Sequence, residues 1–378
     1  MQNYYTKVIL GAVLLGCMGS VAMAADTNLH FSSIRQQGMG GAGVAFTFDE
    51  HALYKNPAGL SRAGVDFNLP RLRLEVSSSF VDKVDVFQDV AKSGASKAER
   101  ILKLKSITPF QGAFDFALSP FISFVRPGFG VGIFSQSNTL IQVNNPVQPE
   151  VVLESNTDIG GLVGVAMDAP FIPGVKMGIS GGLLGRSVAY DSKTNKNVFV
   201  LDANDFLKMV DGGSSVSANL STATGFGVNV GFLGDISTPV GAGTWGLAFN
   251  NIGATLKGTR EVLGVDKAFE VSLPFTGTIG LGINTSAPIV GDFLLATDYR
   301  FISDETNFFK NLSIGVEKPL MGGMLMLRGG VKDGYITGGF GANLWFFQVH
   351  YAVYTEESGR YLGQEANTLQ VLELGFLF

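Results

Sequence analysis

From residue 65 to the C-terminus the chain repeats one pattern: short segments alternating apolar with polar or glycine residues, separated by Gly, Pro, Asn and Asp. Successive side chains on a strand point to opposite faces, so a period of two marks a β-strand with two unlike faces. In 292–301, Phe293, Leu295, Thr297, Tyr299 and Phe301 share one face, and Asp292, Asp298 and Arg300 share the other. In 344–354, Trp345, Phe347, Val349, Tyr351 and Val353 oppose Gln348, His350 and Tyr354; in 113–118, Phe114, Phe116 and Leu118 oppose Asp115. A soluble sandwich would turn the aromatic face inward. A transmembrane barrel turns it to lipid and keeps the ionisable groups in the lumen. Periodicity alone does not separate the two.

The connections do. The segments number about fourteen, an even count as bacterial barrels require: 65–80, 112–125, 128–136, 156–168, 174–189, 222–235, 243–251, 270–285, 291–302, 311–318, 323–330, 335–341, 344–354 and 367–378. Long connections (81–111, 137–155, 190–221, 252–269, 303–310, 355–366) alternate with short turns at Arg126-Pro127, Pro170–Pro173, Pro239–Ala242, Pro288–Val290, Pro319–Gly322 and Ala342-Asn343. Only the short Val331–Gly334 breaks the rule. Long outside and short inside is the outer-membrane arrangement, with both termini periplasmic. Residues 84–104 and Asp202–Val210, in two of the long connections, carry apolar residues at helical spacing and read as short helices or ordered loops.

Composition agrees. Charged residues make up 16% of the chain against roughly 25% in soluble proteins, and mean hydropathy is +0.27. Past residue 25 no apolar run reaches the length of about 18 residues that a spanning helix needs. A chain this apolar has one other way to satisfy its backbone in lipid, a closed barrel. A net charge of −5 with no Lys/Arg cluster gives no reason to expect nucleic acid.

The first residues read as an export signal over 1–24: Lys7, an apolar stretch from Val8 to Leu15, then Ala22-Met23-Ala24 before Ala25. Cleavage after Ala24 is expected. The alternative is lipidation at Cys17, the chain's single cysteine, within Leu14-Leu15-Gly16-Cys17. At the other end Leu372, Leu374, Phe376 and Phe378 form an apolar face ending on the terminal Phe. Such a strand looks like the recognition signal of barrel assembly machinery, with Phe376 and Phe378 as its core. The domain reading is therefore signal peptide 1–24, an N-terminal hatch 25–64, and a barrel 65–378.

Residues 26–64 do not read as a strand. They contain Gly38-Met-Gly40-Gly41-Ala-Gly43, which fits the G-x-G-x-x-G string of dinucleotide folds. That fingerprint needs a strand before it and a helix after it, and here it follows a leader, so no cofactor is expected. The passage GMGGAGVAF followed by ALYKNPAGLS, with Asn56-Pro57-Ala58 at its centre, resembles the N-terminal region of the FadL-type outer-membrane proteins. Those include fatty-acid and aromatic-hydrocarbon transporters and PorV-like proteins. WGLAFNNIGATLKG, FLLATDYRF and the stretch from Leu327 to Tyr354 are more similar to the PorV-like branch. The resemblance is strong at 35–61 and diffuse beyond. It implies a fourteen-stranded barrel plugged by an N-terminal hatch, with Gly38, Gly40, Gly41, Gly43, Asn56, Pro57 and Ala58 at the gate. Inward glycines such as Gly227, Gly231, Gly246, Gly280 and Gly282 would make room for a hatch or for a ligand.

Chemistry is sparse. His30, His51 and His350 show no metal-ligand spacing. No Ser stands two residues from His350 on its face, so a barrel hydrolase is not expected. Asp115, Asp292, Asp298, Arg300, Glu317, Arg328, His350 and Glu373 are the lumen polar groups, and their charges are expected to pair, because unpaired buried charge is costly. Two functions compete. The first is passive transport of a hydrophobic small molecule (fatty acid or hydrocarbon), with lateral release into outer-membrane lipid where Pro70 or Pro120 breaks a strand ladder. The second is a PorV-like docking role with components of a secretion or surface-attachment machine.

Overall fold

A computed structural model describes residues 31, 33–92, 94–191, 195–211, 219–288, 291–303, 305–357, 362–364 and 366–376. The expected signal peptide with Cys17 and Ala24, together with His30 and Phe378, lies outside the described residues.

Fourteen antiparallel strands close into a ring. In chain order β1 is Asp66–Asn68 continued by Leu72–Ser77, β2 Phe110–Arg126, β3 Phe129–Asn144, β4 Glu150–Asp168 and β5 Val175–Tyr190. They are followed by β6 Asn219–Thr238, β7 Gly241–Ile252, β8 Thr276–Ala287, β9 Gly291–Ile302 and β10 Leu312–Leu320. The last four are β11 Leu325–Lys332, β12 Tyr335–Leu344, β13 Phe347–Glu357 and β14 Ala366–Phe376. Each strand pairs with its neighbours, and β14 closes on β1 through Leu372↔Leu74 and Glu373↔Arg73. Closure leaves no edge, so every ladder is satisfied internally.

Burial settles which way the faces point. Buried strand residues include Arg73, Glu75, Asp158, Arg186, Asp298 and Glu317, whereas Phe116, Leu183, Phe226, Leu281 and Phe340 are exposed. This inverts a soluble protein and is the pattern of a barrel in lipid, with polar lumen and apolar exterior. No described helix is long and apolar enough to cross a membrane.

The connections refine the expected pattern. Strands β2 to β6 run 16 to 20 residues, beyond the 9–11 or so that span a bilayer. Their extensions shorten the connection expected at 137–155 to residues 145–149. They also carry a cap at one end of the barrel, the end expected to be extracellular, in which helices Val84–Val90, Lys97–Ser106 and Ala203–Val210 bury Val90, Leu104, Phe206 and Leu207 with Phe110 and Val151. The expected helices are thus formed. Ser96 and Glu99 cap the second reciprocally, and Asp202 caps the third.

Two boundaries differ from expectation, and one pair of breaks agrees with it. The connection 252–269 contains a hairpin, Thr255–Val262 with Val265–Ser272, so 270–275 precedes β8 rather than belonging to it. Trp345 does not share the face of Phe347. It sits in the β12–β13 turn with φ +50° and is almost fully exposed. Finally, β1 is interrupted around Pro70, and the β2–β3 register breaks between Leu118 and Ile122, around Pro120, as expected where a proline cannot donate to the ladder.

Candidate functional site

The interior is occupied by residues 31–63, which touch inward faces from around the ring. A Ser33-capped turn of helix, Ile34–Gly38, packs against β11, β12 and β13. The 3-10 turn Pro57–Arg62 packs against β3, β4, β5 and β6. Met39, Ala42, Ala45, Leu53, Asn56, Ala58 and Leu60 have no exposed surface.

Close packing depends on glycine in the wall. A β-carbon on Gly178 would collide with the Pro57–Ala58 backbone, and one on Gly231 would collide with the Asn56 side chain. Gly246 meets the Val44 carbonyl, Gly315 meets Met39, and Gly330 meets Gly40 in the same way. Gly231, Gly246 and Gly280 were legible in sequence as inward positions. Gly178, Gly315 and Gly330 were not, because a strand glycine carries no sign of what lies opposite it.

Asn56 holds the segment at its centre. Its amide donates to the Val44 carbonyl at 2.8 Å and to the Phe232 carbonyl of β6 at 3.1 Å, while Oδ1 accepts from the Ala58 amide at 3.1 Å. Pro57 opens the 3-10 turn, where a missing N–H costs nothing. In the glycine run, Gly40 and Gly41 have φ of +67° and +86°, a backbone only glycine adopts readily. Thr337 donates to the Gly38 carbonyl at 3.2 Å, and the amides of Gly43 and Val44 donate to Asp298 at 2.8 and 3.1 Å.

The expected lumen charges divide. Asp298 also receives Lys55 at 3.4 Å. Glu317 takes Arg35 at 2.7 Å and Arg328 at 2.8 Å, and Arg328 reaches His350 Nδ1 at 3.4 Å. Half-buried Asp115 accepts from the Thr139 amide at 2.9 Å, and Glu373 stands 4.0 Å from Arg71. Asp292 departs from the expected pairing: it lies exposed at the mouth away from the helical cap. Arg300 faces an upper cavity. Among the charges of residues 31–63, Lys55 takes Asp298 and Asp49 takes His51 at 3.1 Å.

A buried cluster went unread in the sequence. Glu50 receives Arg71 at 2.8 Å and stands 3.3 Å from His51. Burial opposes charge on His51, but Glu50 and Asp49 outweigh it and hold its pKa above the usual histidine value. Donor atoms of Asp49, Glu50 and His51 lie within 4.8 Å of one another, spacing that could hold a cation, although Arg71 already neutralises Glu50. Nearby, Arg73 pairs with Glu75 at 2.5 Å, and Glu75 accepts from Tyr354, which accepts from Gln37 at 3.0 Å. These partners are 279 and 317 residues apart, beyond any local signal.

Two cavities border this segment. The upper one, about 540 Å³, has Phe31, Leu162 and Leu184 on an apolar side and is otherwise polar and charged, with Asn229, Asn250, Arg300, Lys332 and Glu356 in its lining. The lower one, about 670 Å³, opens among the ends of β7 to β11 away from the helical cap and is lined by Asn284, Asp292, Leu294, Glu317, Met326 and Arg35.

No family model matches the chain, and no curated protein matches it. Among solved structures it is similar to the Ralstonia pickettii toluene transporter TbuX: 15% identity, 93% of this chain and 100% of that one, TM-score 0.48. It is likewise similar to the CymD monoaromatic hydrocarbon channel (14%, 91% and 97%, TM-score 0.48). The Pseudomonas putida toluene transporter TodX gives 13%, 92% and 98%, with a TM-score of 0.47.

Proposed function

We propose that this barrel is a passive outer-membrane channel for hydrophobic small molecules, fatty acids or hydrocarbons, with residues 31–64 as its plug. The observation that carries this reading is the upper cavity. It is a lumen space with an apolar wall of Phe31, Leu162 and Leu184, and its remaining lining is polar and charged, from Asn229 and Asn250 to Arg300, Lys332 and Glu356. The apolar wall would receive a small hydrophobic ligand, and the polar groups opposite would fix its orientation. The plug beneath it is held by many short hydrogen bonds, which fits a channel that admits one molecule at a time instead of leaking water. Export to the outer membrane, cleavage after Ala24 and delivery by barrel assembly machinery are part of the same proposal.

A second reading, a docking barrel for secretion-system components, is favoured by the extracellular cap, which has its own buried core and so presents an ordered surface. Native mass spectrometry of the detergent-purified protein separates the two. A co-purified lipid or hydrocarbon, lost when Leu184→Trp fills the cavity, supports transport. A bare protein that still binds a surface partner supports docking.

A further inference from the structure

We propose that cargo leaves the upper cavity along the barrel axis, beside β9, β10 and β11, and that the Arg35–Glu317 ion pair is the gate. This rests on the transport reading and adds the route and the moving residue. The two cavities meet across consecutive residues of the plug: Arg35 lines the lower, Gln36 and Gln37 the upper. At that point Phe46 and Met39 pack on Leu294 and Ala296, and the Arg35 guanidinium lies 5.0 Å over the Phe46 ring and bridges to Glu317.

The charges are arranged so that Arg35 can move. Glu317 is shared by two cations, and the Arg328 side chain is 3% exposed where that of Arg35 is 31%. When Arg35 swings into the periplasmic cavity, Glu317 keeps Arg328 at 2.8 Å and is not left as a bare buried charge. Arg35 itself moves toward water and the exposed carboxylate of Asp292. The departure uncovers Phe46 and Leu294, an apolar passage. The wall break around Pro120 is built differently. Residues 119–121 have no register partner on β3, but the Ser119 amide donates to the Arg71 carbonyl and the Pro120 carbonyl accepts from the Arg71 amide, both at 3.2 Å. Opposite them stands Phe134, fully buried and in ring contact with Tyr54 and Phe31 at 5.2 and 5.6 Å.

An axial gate joins two aqueous faces, so opening it must leak water-soluble solutes, whereas a sideways exit would not. The test uses the full-length protein in liposomes, with arabinose swelling as readout, and whole cells taking up N-phenyl-1-naphthylamine. Heat-modifiable migration checks that each variant folds. Arg35→Ala is expected to admit arabinose and Arg35→Lys to restore the wild-type seal. Asn284→Trp, which fills the lower cavity from an exposed position, is expected to close the Arg35→Ala leak and to abolish uptake of the naphthylamine. No arabinose leak in folded Arg35→Ala overturns the gate. Undiminished naphthylamine uptake by Asn284→Trp overturns the axial route while leaving transport intact. If wild-type cells take up no probe but the leak and its closure are seen, the transport reading falls and the gate stands.

Discussion

Asp298 of β9 accepts a hydrogen bond at 2.8 Å from the backbone amide of Gly43, a residue 255 positions earlier in the chain. With the Val44 amide and Lys55 on the same carboxylate, this one side chain fixes the glycine run against the wall. Asp298→Ala leaves two buried amides without an acceptor, at a cost of about 1–3 kcal/mol for each unsatisfied group. Hydrogen exchange at residues 40–47 should accelerate in that variant while the strands stay protected. Unchanged exchange at those residues would show that the segment is held without Asp298.

Asn56→Ala removes both donors of the amide and the acceptor for Ala58. The local cost is again about 1–3 kcal/mol, mainly from the orphaned Val44 and Phe232 carbonyls. The barrel, held by its own ladders, should migrate on heat-modifiable gels as wild type does. Limited proteolysis should then cut within 31–64 faster than in wild type.

Gly178→Val tests the close approach directly. A β-carbon there meets the Pro57–Ala58 backbone, and backbone does not yield as the end of a side chain would. This substitution should loosen residues 56–60 more than Asn56→Ala does, because it excludes the native position instead of weakening it. Equal exchange rates in the two variants would contradict the packing described.

The pH dependence follows from His51. Its pKa is raised in the fold, so its contribution is fully present below the unfolded value, about 6.5, and is lost as pH rises through the raised folded value. Asp49, held well below its usual range by His51 and Arg35 despite burial, contributes fully above the unfolded carboxylate value, about 3.9, and loses that contribution as pH falls from there through its lower folded value. Protection of residues 49–56 should therefore fall as pH is raised above about 6.5, and His51→Gln should remove that dependence. A flat profile in the wild type would remove His51 from the anchoring of the segment.

Phe376 packs edge-on against Phe347 at 5.9 Å, beside the seam where β14 closes on β1. Deleting Phe378 should lower the yield of heat-modifiable barrel in the membrane fraction. Normal yield would show that the terminal Phe is not part of an assembly signal.

The amino-acid sequence by itself determined the barrel, because period-two alternation and connection length are local properties that each segment writes for itself. Phe293, Leu295 and Phe301 against Asp298 and Arg300 already state two faces of opposite polarity. The same locality made the helices at 84–104 and 202–210 readable from their spacing. It misled where strands outgrow the membrane, as at 145–149, and where Trp345 continues the alternation into a turn. Only the tertiary structure decided what the lumen groups do. Glu317 meets Arg35 across 282 residues and Tyr354 meets Glu75 across 279. A closed ring brings first and last strands together, so the partner of an inward residue depends on the whole circuit of registers. That circuit also turned Gly178, Gly315 and Gly330 into seats for the N-terminal segment, a role set by what the fold places opposite an absent side chain.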